Sequence, residues 1–281
     1  MTSMVGKCAA TSGLAMRQER QLTHKGKMAQ QQTRRTVLLG TALVAASGAT
    51  WLGWRMRSNP LKNQEPEVNQ RLAQRLSLLG ARLGDPIFIR LFKLSSNLEL
   101  WVQPGGTGPF VKFHDYPICA FSGELGPKEQ EGDHQAPEGF YRVEASQLNP
   151  NSRHHRSFNL GYPNAFDRSH GRTGSYLMIH GGCSSVGCYA MTDASIAEIY
   201  ALAATYLTRA PRAQEKSPRA FQVHAFPFVP SNQALATFGQ KYPQWHSFWR
   251  DLQKGYLAFN RTQYPPTITV ENQRYVVEAK G

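Results

Sequence analysis

The sequence predicts a β-rich α+β fold, a mixed sheet or sandwich with helices on its flanks. Three observations carry that expectation. From residue 86 onward, short apolar stretches alternate with twofold period between Gly and Pro turns. Helical spacing is confined to a stretch before this region, one after Met191 and the aromatic tail. A hydrophobic fraction of 41%, with 11% aromatic residues, suits a packed core rather than disorder.

The N-terminal region reads as a targeting segment. Residues 1–58 carry nine Lys or Arg against Glu19, a net +8, whereas residues 59–281 carry only +5. The overall +13 is therefore mostly a property of the N-terminus. The body shows no basic stripe with interleaved aromatics, so nucleic acid is not an expected partner. Residues 1–35 form a basic n-region, and residues 36–54 form an export signal or membrane anchor. Thr33-Arg34-Arg35-Thr36-Val37-Leu38-Leu39 resembles a twin-arginine signal. The apolar run Val37–Trp54 has 18 residues, at the short end for a bilayer span. Ser47-Gly48-Ala49 offers a cleavage site, while Trp51 and Trp54 suit an inner-membrane interface, so cleavage and anchoring both stay open. A start at Met28 gives a conventional short n-region. The expected location is periplasmic or elsewhere in the cell envelope.

Residues 55–85 are read as a linker followed by a helix. Leu72, Leu76, Leu79 and Leu83 repeat at helical spacing, and Gly84-Asp85-Pro86 ends the pattern. Strands are expected over 87–92, 98–102, 110–113, 116–121 and 140–143. Residues 149–174 are polar, show no clear period, and lead into the apolar run Tyr176-Leu177-Met178-Ile179. Thr192 or Asp193 caps a helix whose inner face is Ile196, Ile199, Ala203, Tyr206 and Leu207. A strand follows over 221–228. The main domain is bounded at 86–230, with 231–281 as an aromatic, helical extension.

The run 176–179 reads as a buried strand, and it ends in His180-Gly181-Gly182-Cys183-Ser184-Ser185-Val186-Gly187-Cys188. Seven residues separate His180 from Cys188. A strand end is a rigid mount for a base, and the Gly/Ser loop returns the thiol towards the imidazole. A cysteine beside a histidine ionises near neutral pH and attacks a carbonyl. Four cysteines make no disulfide scaffold. Cys8 precedes the export segment, and Cys119 and Cys183 are available to pair in an oxidising compartment. His180, Cys183 and Cys188 are all zinc-ligand types, but no second Cys/His pair accompanies them, and neither a metal nor another cofactor is expected. His224, inside an apolar strand, reads as packing, and His154 and His155 as surface residues.

The motif, with Met191 beyond it, resembles the YkuD-type L,D-transpeptidase domain, in its YafK-like branch. Supporting stretches are YPICAFSGELGPK at 116–128, PEGFY at 137–141, SFNLGYPN at 157–164 and FQVHAFPF at 221–228. The likeness runs over roughly residues 68–260. It implies a YkuD-like fold, with Cys188 as nucleophile, His180 as general base, and Ser185 and Gly187 in the oxyanion loop. Gly181 is placed at the substrate. Most of the family has a histidine where Val186 stands and an arginine where Ala190 stands. Arg168 or Arg172 is therefore the expected carboxylate clamp. The implied partners are peptidoglycan stem peptides and, in the YafK-like branch, a wall-linked protein joined at diaminopimelate. Three functions follow: transpeptidation through a thioester, hydrolysis at the same site, and non-catalytic wall binding.

Overall fold

A computed structural model describes residues 65–210 and 217–280. These lie in one unit, 57–281, while the other unit, 1–56, falls wholly outside the described residues. The n-region, Val37–Trp54 and Cys8 therefore also lie outside them. Among the described residues no helix is long and apolar enough to cross a membrane.

Two five-stranded sheets organise the chain. The first contains β1 (Ile87–Phe92), β2 (Asn97–Val102), β3 (Val111–Pro117), β5 (Gly139–Glu144) and β10 (Ala220–Phe226), in the order β3-β2-β1-β10-β5. Only the β1–β10 pair is parallel. The second contains β4 (Ala120–Phe121), β6 (Leu148–Asn149), β7 (Ser157–Asn159), β8 (Met178–His180) and β9 (Tyr189–Ala190), in the order β4-β9-β8-β7-β6. Here β8 and β9 are parallel. A separate hairpin joins β11 (Thr267–Glu271) and β12 (Arg274–Glu278).

The pleat of β1 explains the layering. Every residue of this strand is buried, as a central strand covered on both faces must be. Ile87, Ile89 and Leu91 point into the core shared with Ile179, Tyr189, Ile196 and Ile199. Phe88 and Phe92 point the other way, towards Phe259 and Trp249 respectively. The second sheet and α3 (Asp193–Thr208) thus cover one face, and α5 (His246–Thr262) covers the other. Thr192 caps α3 by accepting from the Ser195 N–H at 3.1 Å, as its sequence suggests.

Several elements depart from the sequence reading: β3 runs unbroken where the ends of two strands were expected, and β8 begins only at Met178, leaving Tyr176 exposed outside it. The first helix, α1 (Glu65–Ser77), ends well before Gly84. Gly80 adopts φ +67°, its N–H donates to Ser77 C=O, and Ala81 N–H donates to Leu76 C=O. This is a Schellman closure built on the left-handed glycine, so the helical leucine spacing past Leu76 is coincidental. The polar stretch 149–174 contains β7 and a short helix, α2 (Ala165–Ser169), closed by an Asn164–Asp167 capping box. Finally, the tail, read as helical, also carries a hairpin. Trp249, Leu252 and Tyr275 share a core with Phe92, Phe140 and Phe226, and the β11–β12 hairpin accompanies α4 (Asn232–Lys241) and α5.

Cys119 and Cys183 form a disulfide that spans 64 residues and ties β4 to the loop leading to Cys188. Replacing both by serine should lower unfolding free energy by about 2–4 kcal/mol, because the unfolded chain regains loop freedom. Denaturant unfolding of the double variant measures this, and an unchanged midpoint would refute it.

Candidate active site

Sheet register assembles the site. The pairs Ile179–Tyr189 and His180–Ala190 place Cys188 beside Met178, one step before the β9 strand. Side chains alternate along each strand, so Cys188, Met178 and His180 share one face of the sheet. The Met178 N–H points at Cys188 Sγ (3.4 Å), and the thiol donates to Tyr176 C=O (3.6 Å). Tyr176 holds φ +54°, a costly conformation for a tyrosine, and leaves 74% of its surface exposed. Val186, 73% exposed, stands two residues before Cys188.

His180 is buried, and its Nδ1 lies 2.6 Å from Gly181 C=O. A carbonyl only accepts, so Nδ1 carries the proton and Nε2 is left with a free lone pair. That is the tautomer a general base needs. The His154 ring lies 4.7 Å from the His180 ring, centroid to centroid. His154 C=O also accepts from Gly181 N–H at 3.0 Å. Gly181 is closely packed: a Cβ there would meet Asp193 Oδ1 at 2.5 Å and His154 C=O at 2.8 Å. Its carbonyl orients the histidine, and its backbone is closely packed.

Burial pushes the Cys188 thiol up from its ordinary 9.0, against smaller downward pulls from the Met178 N–H and the Lys128 charge. Burial also pushes His180 down from 6.5, with His154 adding to the fall and the Gly181 hydrogen bond opposing it. The resting pair is therefore neutral thiol and neutral imidazole. Burial thus works against the ionisation near neutral pH that the sequence suggested. For a thiol nucleophile in this state, proton transfer would accompany attack instead of preceding it. The rate then requires one proton on the pair: too many below the His180 value, and too few to protonate a leaving amine above the Cys188 value. A plot of kcat/KM against pH should keep its plateau from below 6.5 to above 9.0. An acid limb centred above 6.5 would contradict the assignment.

Backbone donors near the thiol are already engaged. Cys188 N–H donates to Ser185 Oγ (3.0 Å), and Ser185 Oγ–H donates to Cys188 C=O (2.7 Å). Gly187, at φ +110°, donates its N–H to Ser122 Oγ. Ser185 and Gly187 thus lie beside Cys188, and Ser122 joins them from a remote segment.

The two arginines are placed elsewhere. Arg172 is buried, pairs with Asp167 (2.9 Å) and lies 5.2 Å from the rings of Phe166 and Phe248. Its guanidinium is committed to the core, which removes it as a carboxylate clamp. Arg168 is exposed and donates to Pro163 C=O. The cation whose charge acts on Cys188 is Lys128, which is buried and paired with Asp133. His224 is buried against Phe88 and Phe140, as packing predicts.

A strand-mounted histidine and a glycine-flanked thiol thus share one face of the second sheet. The L,D-transpeptidase catalytic domain, YkuD, matches residues 93–211. A relative from Escherichia coli K12, provisionally designated L,D-transpeptidase YafK, is 43% identical over 195 residues, 69% of this chain and 75% of that protein. Its counterpart in Escherichia coli O157:H7 matches to the same extent. The chain belongs to the L,D-transpeptidase family. Among solved structures, the helical cell shape determining protein Pgp2 from Campylobacter jejuni aligns at TM-score 0.39 and 17% identity, covering 72% of this chain and 80% of that one. Bd1075 from Bdellovibrio bacteriovorus aligns at TM-score 0.35 and 18% identity, covering 69% and 79%.

Proposed function

We propose that this chain is an exported enzyme of the cell envelope that acts on peptidoglycan stem peptides through a thioester on Cys188. The observation that carries the reading is the shared face of His180 and Cys188, with Gly181 C=O fixing the Nε2-free tautomer. The thiol sulfur attacks the carbonyl on the L side of a bond to a D-residue while Nε2 takes the thiol proton. The tetrahedral adduct collapses, the C–N bond breaks, and His180 returns the proton to the leaving amine. An acceptor amine then makes a new amide, which is transpeptidation.

The envelope location is supported by the twin-arginine-like segment and by the Cys119–Cys183 disulfide, which suits an oxidising compartment. Whether Val37–Trp54 is cleaved or holds the protein at the inner membrane belongs to the same proposal.

One observation favours a second reading, with water as the acceptor. Tyr176 and Val186 flank the thiol and are both largely exposed, so the site has an open wall. Water then resolves the thioester, and the enzyme acts as a hydrolase, including on the link between diaminopimelate and a wall-attached protein. The test is incubation with defined stem peptides, with and without an amine acceptor, and mass analysis of products. A cross-linked product identifies the transpeptidase, and a shortened peptide alone identifies the hydrolase. Neither product would leave the chain as a wall-binding module.

A further inference from the structure

We propose that the Ser122 hydroxyl is a hydrogen-bond donor to the oxyanion formed when Cys188 attacks. The assignment rests on Cys188 being the nucleophile. It begins with sheet register. β4 pairs antiparallel with β9 through Ala120–Ala190 and Phe121–Tyr189. One step further, Ser122 falls opposite Cys188, on the side away from Met178. The thiol is therefore bracketed in the sheet by Met178 and Ser122. The Ser122 backbone is held in place, since its C=O accepts from Ala136 N–H at 3.0 Å.

Proton counting then gives Ser122 its role. Ser185 has one hydroxyl hydrogen, and it lies on Cys188 C=O (2.7 Å). The 3.4 Å contact between the two serine oxygens is thus Ser122 donating and Ser185 accepting. Ser122 also accepts the Gly187 N–H. Accepting that bond polarises its own O–H and makes it a better donor. Two backbone donors of the thiol's own loop, Gly187 N–H and Cys188 N–H, are taken by serine oxygens, and a third, Met178 N–H, points at the sulfur itself. The Ser122 hydrogen is held by a long, neutral contact. A developing negative oxygen beside Sγ makes a shorter, charge-assisted bond and draws that hydrogen across.

In the step, the S–C bond forms and the carbonyl π pair moves onto oxygen. The thiol proton passes to His180 Nε2, and Ser122 Oγ–H bonds the new oxyanion without being lost. On collapse the oxygen pair re-forms the carbonyl, the C–N bond breaks, and His180 protonates the amine. Ser122 then returns to Ser185. The group is neither consumed nor ionised.

The test uses the full chain, wild type beside Ser122→Ala and Ser122→Thr, with three reactions. Acylation by a stem peptide and by p-nitrophenyl acetate both pass through an oxyanion. Alkylation of Cys188 by iodoacetamide, located by peptide mass, does not. Ser122→Ala should lose about 10²-fold in acylation kcat with KM changed by no more than about twofold. Alkylation should stay within about twofold at each pH, because thiol and imidazole are untouched. Ser122→Thr, which keeps the hydroxyl, should retain acylation within about tenfold of wild type. Acylation unchanged or faster in Ser122→Ala would overturn the proposal, since the freed Gly187 N–H would then be the donor. A parallel fall in alkylation would also overturn it, showing that Ser122 only supports the loop, as would a Ser122→Thr loss matching the alanine variant. A wild-type protein that takes the ester but ignores the stem peptide removes the proposed substrate, while the ester comparison still decides the role of Ser122.

Discussion

His180→Gln is expected to lower the acylation rate by about 10²–10⁴-fold, the usual worth of a positioned general base. The effect is large because Cys188 rests as a neutral thiol, pushed up by burial, and has no preformed charge to fall back on. Glutamine keeps a polar side chain of similar reach, so the loss reports chemistry more than packing. Two companion results sharpen the point. Raising the pH through the thiol value should restore part of the rate of His180→Gln, since hydroxide then does what the imidazole did. The wild type should show no such rise. A variant retaining more than about a tenth of wild-type activity at neutral pH would remove His180 from the base role.

The second large effect is on stability, at a site the chemistry does not touch. Lys93 and Glu138 form an ion pair at 3.1 Å with both side chains fully buried. Burial pulls the lysine down, and Glu138 opposes that pull. The pair is fully hydrogen-bonded. Lys93 Nζ donates to Gly126 C=O (2.8 Å) and Glu124 C=O (3.2 Å), while Glu138 accepts from Gly126 N–H (2.7 Å) and Trp249 Nε1–H (2.8 Å). It therefore pins the segment carrying Ser122 and Lys128 to the core. Glu138→Leu leaves a buried ammonium without a counter-charge and should cost about 3–5 kcal/mol. For a chain of this size that lowers Tm by on the order of 10 °C. The double variant Lys93→Met/Glu138→Leu should recover part of the loss, because it removes the unpaired ammonium but leaves Gly126 N–H and Trp249 Nε1–H without their acceptor. Thermal unfolding of the three variants tests this. Additive losses in the double variant would show that the pair is not the coupled unit described.

Both residues of the central pair were legible in the sequence. His180 and Cys188 stand out because strand, glycine loop and thiol are contiguous in the chain. Strand β2 of the first sheet was legible too, since alternation in Leu98–Val102 reports local burial. What stayed hidden depends on distant partners. Ser122 meets Gly187 across 65 positions, and Trp249 meets Glu138 across 111. No local pattern marks either. His154 looked like a surface residue because it is one, yet its ring stands beside His180. Arg172 was misplaced for a related reason. A guanidinium in a polar loop suggests a ligand, and only the fold shows Asp167, Phe166 and Phe248 closing around it. The early end of α1 was readable in principle: Gly80 is the signal, overridden in the sequence reading by the continuing leucine spacing.

The most direct test of the account is intact-mass analysis of acid-quenched reactions between the protein and a stem-peptide substrate, with the adduct located by peptide mapping. The account predicts a covalent acyl group on Cys188, removed by hydroxylamine and absent from Cys188→Ala. Product formation by the wild type with no adduct on Cys188, or turnover that survives Cys188→Ala, would contradict it.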